Sequence, residues 1–174
     1  RLYNSAALLG PKGLLAVYRK THLFDAEKDL FSPGDTGFFV TTLPSGVKVG
    51  MMICFDWFFP ESARSLSLLG ADLIAHPSNL VLPWCQSAMP VRALENRVFT
   101  VTANRVGTER NGQRRLRFTG GSIMVNPLGR VLAKAGRTAV QIITADIDPA
   151  QARKSVTPRN HCHDDRRPSK YVKM

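Results

Sequence analysis

The stretch GVKVGMMICFDWFFPESARSLSLLGADLIAHPSN, residues 46–79, constrains this chain more than any other. Met51, Met52 and Ile53 run together without a polar break, which predicts a strand covered on both faces rather than one facing water. Pro60 suits a first helical turn, Glu61 complements the positive start of a helix, and Gly70 suits its stop. Ala63, Leu66 and Leu69 fall at three-residue steps and predict a core-facing stripe. The segment ADLIAHP then predicts a second strand. Strand, helix and strand over 47–77 make a βαβ unit, whose two strands must be parallel because the helix carries the chain back across the sheet.

The rest of the chain extends this pattern. LYNSAALLG and LLAVYRK flank the turn signal PKG and predict a hairpin, followed by a loop through FSPGD. Pro90 marks a helix start through VRALENR, and VFTVTAN reads as the next strand. GGSIMVNPLGRVLAKAG predicts a hairpin across Pro127 to Gly129, and QIITADID a further strand. Helices between strands, with hairpins beside them, indicate an α/β layered architecture. At 174 residues the chain is long enough for one domain with its own core, taken here as 1–174.

Several function classes drop out on composition. No run approaches the ~18 apolar residues a membrane-spanning helix requires, so no membrane partner is expected. Lysine and arginine outnumber acidic residues 24 to 13, a formal charge of +11. That charge is spread along the chain, and no nucleic-acid motif accompanies it, so nucleic acid is not an expected partner either. Cys54, Cys85 and Cys162 are too few for a disulfide framework, which favours a reducing, cytoplasmic setting. HCHDD at 161–165 is rich in ligand-type residues, but its His-Cys-His spacing is too tight for a usual zinc site, and a polar tail is the reading preferred.

Cys54 stands where the first parallel strand of the βαβ unit runs out. Reactive groups in open α/β sheets collect beyond the carboxyl ends of such strands. A helix start just behind the cysteine, with its free N–H groups, would favour a thiolate. An ordinary thiol titrates near 8.5, so ionising it at pH 7 costs about 2 kcal/mol, which an N-terminal helix field and one cation could largely offset. A thiolate attacking an acyl or nitrile carbon also needs a proton carrier and a group to receive the developing negative charge. His76, at the end of the next parallel strand, could form a Cys–His dyad; a carboxylate working with Lys20 is the other arrangement. The residues by themselves leave both open.

In order, YRKTHLF, MMICFDWFFPESAR, GADLIAHPSNL, RALENR and GSIMVNPLGRVLA resemble the nitrilase superfamily of carbon–nitrogen hydrolases, its short amidase and aliphatic nitrilase branch above all. The resemblance runs from Arg1 to about Tyr171. It implies an α/β/β/α four-layer sandwich, of which these residues are the C-terminal two thirds, and pairing with a second copy into a homodimer or higher homo-oligomer. It implies a Glu–Lys–Cys triad with a second glutamate: the nucleophile carries over to Cys54, the lysine to Lys20 and the second glutamate to Glu27. The first glutamate, the base, belongs upstream of Lys20. Residues 1–19 hold no Asp or Glu, so the resemblance implies that it precedes Arg1. The backbone N–H of Phe55 would share the oxyanion with Lys20, and Asn79 and Trp84 would line the substrate pocket. The implied substrate is a small amide or a nitrile, a carbamoyl amine being a further option, with neither cofactor nor metal. Glu61 and Arg64, three apart on one helix, are expected to pair structurally or at an interface, Arg92, Glu95 and Asn96 to brace loops behind the site, and Cys85 to have no part in it.

Overall fold

The structure, a computed structural model, describes residues 1–171. Strands β1 (Ser5–Gly10) and β2 (Gly13–Arg19) form the expected antiparallel hairpin. The short helix α1 (Glu27–Leu30) and the strand β3 (Val40–Thr42) lead into the central unit: β4 (Lys48–Met51), a 3₁₀ turn over Cys54–Phe58, α2 (Pro60–Leu68) and β5 (Leu73–Ser78). Helix α3 (Cys85–Asn96) and β6 (Phe99–Asn104) follow. A solvent-facing hairpin, β7 (Thr108–Asn111) and β8 (Arg114–Arg117), precedes β9 (Ile123–Val125) and β10 (Val131–Lys134).

Six strands make one mixed sheet in the order β10-β9-β6-β5-β4-β3, with β4, β5 and β6 parallel at its centre and the outer strands antiparallel. The helices cover one face, where Leu66 lies against Gly50 and joins Met52, Ile74, Met89 and Val98 in the largest apolar cluster. The β1–β2 hairpin covers the other face. Its inward-alternating Ala6, Leu8, Ala16 and Tyr18 pack on Met51 and Ile53, so the run Met51 to Ile53 is buried on both sides, as its unbroken apolar character requires, although β4 itself ends at Met51. Helix, sheet and hairpin are three of the four layers expected of the sandwich.

Four expectations are corrected. Leu69 is 53% exposed, because three-residue steps drift around a helix of 3.6 residues per turn, and the core stripe passes to Ala63, Leu66 and Ser67 instead. Pro90 does not start α3 but sits as its sixth residue. Cys85, Met89, Ala93 and Asn96, at helical spacing, are all buried, and that packing outweighs the one bond to the Gln86 carbonyl that proline forfeits. Residues 141–148 form no strand among the described residues. Ile142 is 93% exposed, since apolar alternation without a sheet edge to join makes no ladder. Arg64 donates to the Glu95 carbonyl (2.8 Å) rather than pairing with Glu61. Arg92 does brace the region behind the site, holding Glu95 at 3.0 Å and donating to the carbonyl of Trp57.

Candidate active site

Lys20 follows β2 and is pinned on both sides of its peptide. Its N–H donates to the Asn4 carbonyl and its carbonyl accepts from Gly34 N–H, each at 2.8 Å. Gly34 is required there, because a Cβ would fall 2.1 Å from the Arg19 carbonyl oxygen. The lysine side chain is wholly buried and ends on Glu27 Oε2 at 2.5 Å. Glu27, at the start of α1, is itself held by further donors. Oε2 also accepts from Phe24 N–H (2.8 Å), and Oε1 accepts from the Asn4 side-chain amide (3.0 Å). A buried ammonium needs such a partner, and this one is held by two further donors.

Cys54 is not the last residue of its strand. β4 ends at Met51, and Cys54 opens the 3₁₀ turn with φ of 44°, in the left-handed region that costs a non-glycine residue about 1–2 kcal/mol. The turn points the side chain into a cavity of about 520 Å³, shared with Asn4, Glu27, Asn79 and Phe118. Burial pushes the thiol above its ordinary range. The Lys20 ammonium pulls it down, as do the peptide N–H groups of Asn79 and Phe55, while Glu27 raises it again. The helix start expected just behind the cysteine lies further on, since α2 begins only at Pro60. The Phe55 ring instead belongs to an aromatic cluster with Phe24, Phe58 and Phe59, leaving its N–H to serve the sulfur. Trp84 lies outside the cavity, 56% exposed at the start of α3, because that helix turns its Cys85 side to the core.

His76, the other candidate proton carrier, is buried in the sheet with its nitrogens committed. Nε2 lies 2.8 Å from the Cys54 carbonyl and Nδ1 3.0 Å from Thr102 Oγ1, so the proton sits on Nε2 and the hydroxyl donates to Nδ1. It grips the backbone of Cys54, not its sulfur. Burial lowers its pKa from the ordinary 6.5 to about 4. Unfolded, the ring takes its proton near pH 6.5; folded, only near pH 4. Its contribution to stability is therefore complete above pH 6.5 and is lost as pH falls from 6.5 toward 4, up to about 3 kcal/mol. Urea midpoints of the natural protein should fall more steeply between pH 7 and 4.5 than those of His76→Gln; equal slopes would refute the buried neutral ring.

Two participants escaped the sequence reading. Asn4 orients Glu27 and lines the cavity, and nothing in its local sequence marks it. Asp56 is fully buried and accepts from Tyr18 O–H (2.8 Å), Ile53 N–H (2.9 Å), His22 N–H (3.0 Å) and His22 Nδ1 (2.8 Å). A lone carboxylate inside CFDWFF was a legible sign, since a charge among aromatic residues must be buried with partners. Among the described residues no group of three His, Cys, Asp or Glu side chains could hold a metal ion, and no helix is long and apolar enough to cross a membrane.

Fold and site together define an α/β protein that carries a cysteine with a left-handed backbone beyond its parallel strands, beside a buried lysine paired with a half-buried glutamate. The chain belongs to the carbon-nitrogen hydrolase family, whose profile matches residues 1–155, and thus to the nitrilase superfamily. It is 52% identical over 173 residues to a nitrilase of Pyrococcus abyssi, covering 99% of this chain and 64% of that protein. Against an (R)-stereoselective amidase of a Pseudomonas species it is 43% identical over 156 residues, covering 87% of this chain and 55% of the amidase. Among solved structures, a carbon-nitrogen hydrolase from Helicobacter pylori G27 superposes with a TM-score of 0.79 at 30% identity, over 86% of this chain and 58% of that one. A mutant amidase from Nesterenkonia sp. AN1, carrying the acetamide moiety of fluoroacetamide on its active-site cysteine, superposes with a TM-score of 0.78 at 29% identity, over 95% and 59%. The chain thus spans between half and two thirds of the length of these relatives.

Proposed function

We propose that this chain carries the nucleophile and the oxyanion-binding groups of an enzyme that hydrolyses small amides to acid and ammonia. The observation that carries this reading is geometric: Cys54 opens into the same cavity of about 520 Å³ as Glu27, whose carboxylate holds the buried Lys20 ammonium at 2.5 Å, and that ammonium draws the thiol's pKa down. The sulfur attacks the carbonyl carbon, and its proton passes to a carboxylate that the resemblance assigns upstream of Lys20. Glu27 is a poor acceptor for it, being already committed to three donors. The oxyanion is received by Lys20 and Phe55 N–H; its collapse breaks the C–N bond, and ammonia leaves with the proton. Water then cleaves the thioester, releasing the acid and restoring the thiol, so that amide and water give acid and ammonia. Asn79 enters through its peptide N–H.

Nitrile hydrolysis is the second reading, favoured by the name of the 52%-identical relative. Both routes pass through a thioester, and both are consistent with a homo-oligomeric enzyme that uses no cofactor. The test is ammonia release from a panel of small aliphatic amides and nitriles, run on residues 1–174 and on a version extended upstream to carry the base glutamate. Release from amides with the extended version is expected, and silence of both on the entire panel would overturn both readings.

A further inference from the structure

Cys54 keeps a strained backbone, and the groups that hold it are buried on both sides of the residue. On its amino side, Ile53 N–H donates to Asp56 Oδ2 at 2.9 Å. On its carboxyl side, the Cys54 carbonyl accepts from His76 Nε2 at 2.8 Å, and the ring is fixed in turn by Thr102. A left-handed φ persists at a non-glycine residue only where its surroundings over-determine it. The same Asp56 also receives Tyr18 O–H and both the N–H and the ring of His22, two residues before and two after Lys20. Tyr18 is held in its protonated, donating form by burial and by the neighbouring Asp56. The His22 ring, stacked on Phe59 with centroids 3.8 Å apart, ties the far end of the turn to the same point. One carboxylate thus joins the segment bearing the lysine to the turn bearing the cysteine, and its four donors fill what a carboxylate can accept.

We propose that Asp56 is a positioning residue that sets Lys20 against Cys54, with His76 gripping the opposite side of the cysteine peptide. The inference rests on the hydrolase reading for its catalytic consequence, but the reactivity of the thiol can be followed without any substrate. Asp56 itself touches neither substrate nor sulfur in this reading and acts through the two residues it ties together.

Charge and position make opposite demands on the thiol, which gives the test its sign. Removing a nearby negative charge alone would ease ionisation of Cys54, because the thiolate would lose a repelling neighbour. Loosening Lys20 would hinder ionisation, because the ammonium is what draws the thiol down. The experiment is the pH dependence of Cys54 alkylation by iodoacetamide, read at the Cys54 peptide by mass spectrometry so that Cys85 and Cys162 do not interfere. In Asp56→Asn the midpoint should rise by about one unit. Turnover on an amide the natural protein hydrolyses should fall by about 10² in kcat with KM within a few-fold, the scale of a small misplacement of reacting groups.

A midpoint that stays put or moves down overturns the proposal. Should Asp56→Asn fail to fold, Tyr18→Phe removes one donor without changing the packed volume, and a smaller upward shift is then expected; no shift would overturn it equally. On the other side of the peptide, His76→Gln keeps an N–H donor and should retain activity within about fivefold, whereas His76→Leu should lose ten times more than that. Equal losses in the two would overturn the grip on the Cys54 carbonyl. If the alkylation shifts appear while no amide or nitrile is hydrolysed, the positioning role stands and the hydrolase reading fails.

Discussion

Cys54→Ala is expected to lower ammonia release by at least about 10⁴-fold and to abolish labelling of the active-site peptide by haloacetamides, because Cys54 is the one thiol among the described residues that line the cavity, and the hydroxyls of Ser5 and Ser78 there are far weaker nucleophiles. Cys54→Ser should be nearly as inactive: Lys20 and two peptide N–H groups act on a thiol already pushed up by burial, and a hydroxyl is far harder to ionise in the same place. Stability adds a second reading of the same position. At φ of 44° a Cβ is strained, so Cys54→Gly should be more stable than Cys54→Ala by about 0.5–1 kcal/mol, the reverse of the order at helical or extended positions. Stopped assays of ammonia release and urea unfolding of both variants check the two halves. Activity of Cys54→Ala within tenfold of the natural protein would remove the nucleophile from the reading, and alanine matching glycine in stability would remove the strain.

The central βαβ unit was legible because three independent signals coincide in it: an unbroken apolar run, a proline and an acidic residue at a helix start, and a glycine at its stop. Each acts through neighbours in sequence, and α2 and β5 fall where those signals put them, while β4 lies in the expected place but stops at Met51, three residues short of Cys54. What failed were features decided by distant neighbours. Residues 141–148 have a strand's composition, yet whether they pair depends on an edge elsewhere. Pro90 resembles a helix start, but the buried series from Cys85 to Asn96 overrides it. The site divides in the same way. Lys20, Glu27 and Cys54 carry motif and spacing, whereas Asn4 and the Asp56 contacts exist only once Tyr18 and His22 have been folded against the turn. The sequence displays the nearby cation, but burial, the larger influence, belongs to the folded environment.

Lys20→Met should cost about 10³-fold in kcat or more, with the stem of the side chain still filling its place. One lost oxyanion donor accounts for about 10²–10³. The remainder comes from the thiol itself, which loses the one cation drawing its pKa down and keeps the burial that raises it. The alkylation midpoint of Cys54 should therefore move up in the same variant, further than in Asp56→Asn, because here the charge is gone and not merely displaced. The fold should survive. Glu27 is left without its ammonium, but it is partly open to solvent and keeps the Asn4 amide and Phe24 N–H, so the loss should stay below the ~3–5 kcal/mol typical of a fully buried broken pair. Adding Glu27→Gln should recover part of that stability while restoring no activity, separating the structural service of the pair from its chemistry. A Lys20→Met protein that turns over amides within tenfold of the natural one, with an unshifted thiol, would mean that this ammonium only packs the core and that the oxyanion is received elsewhere.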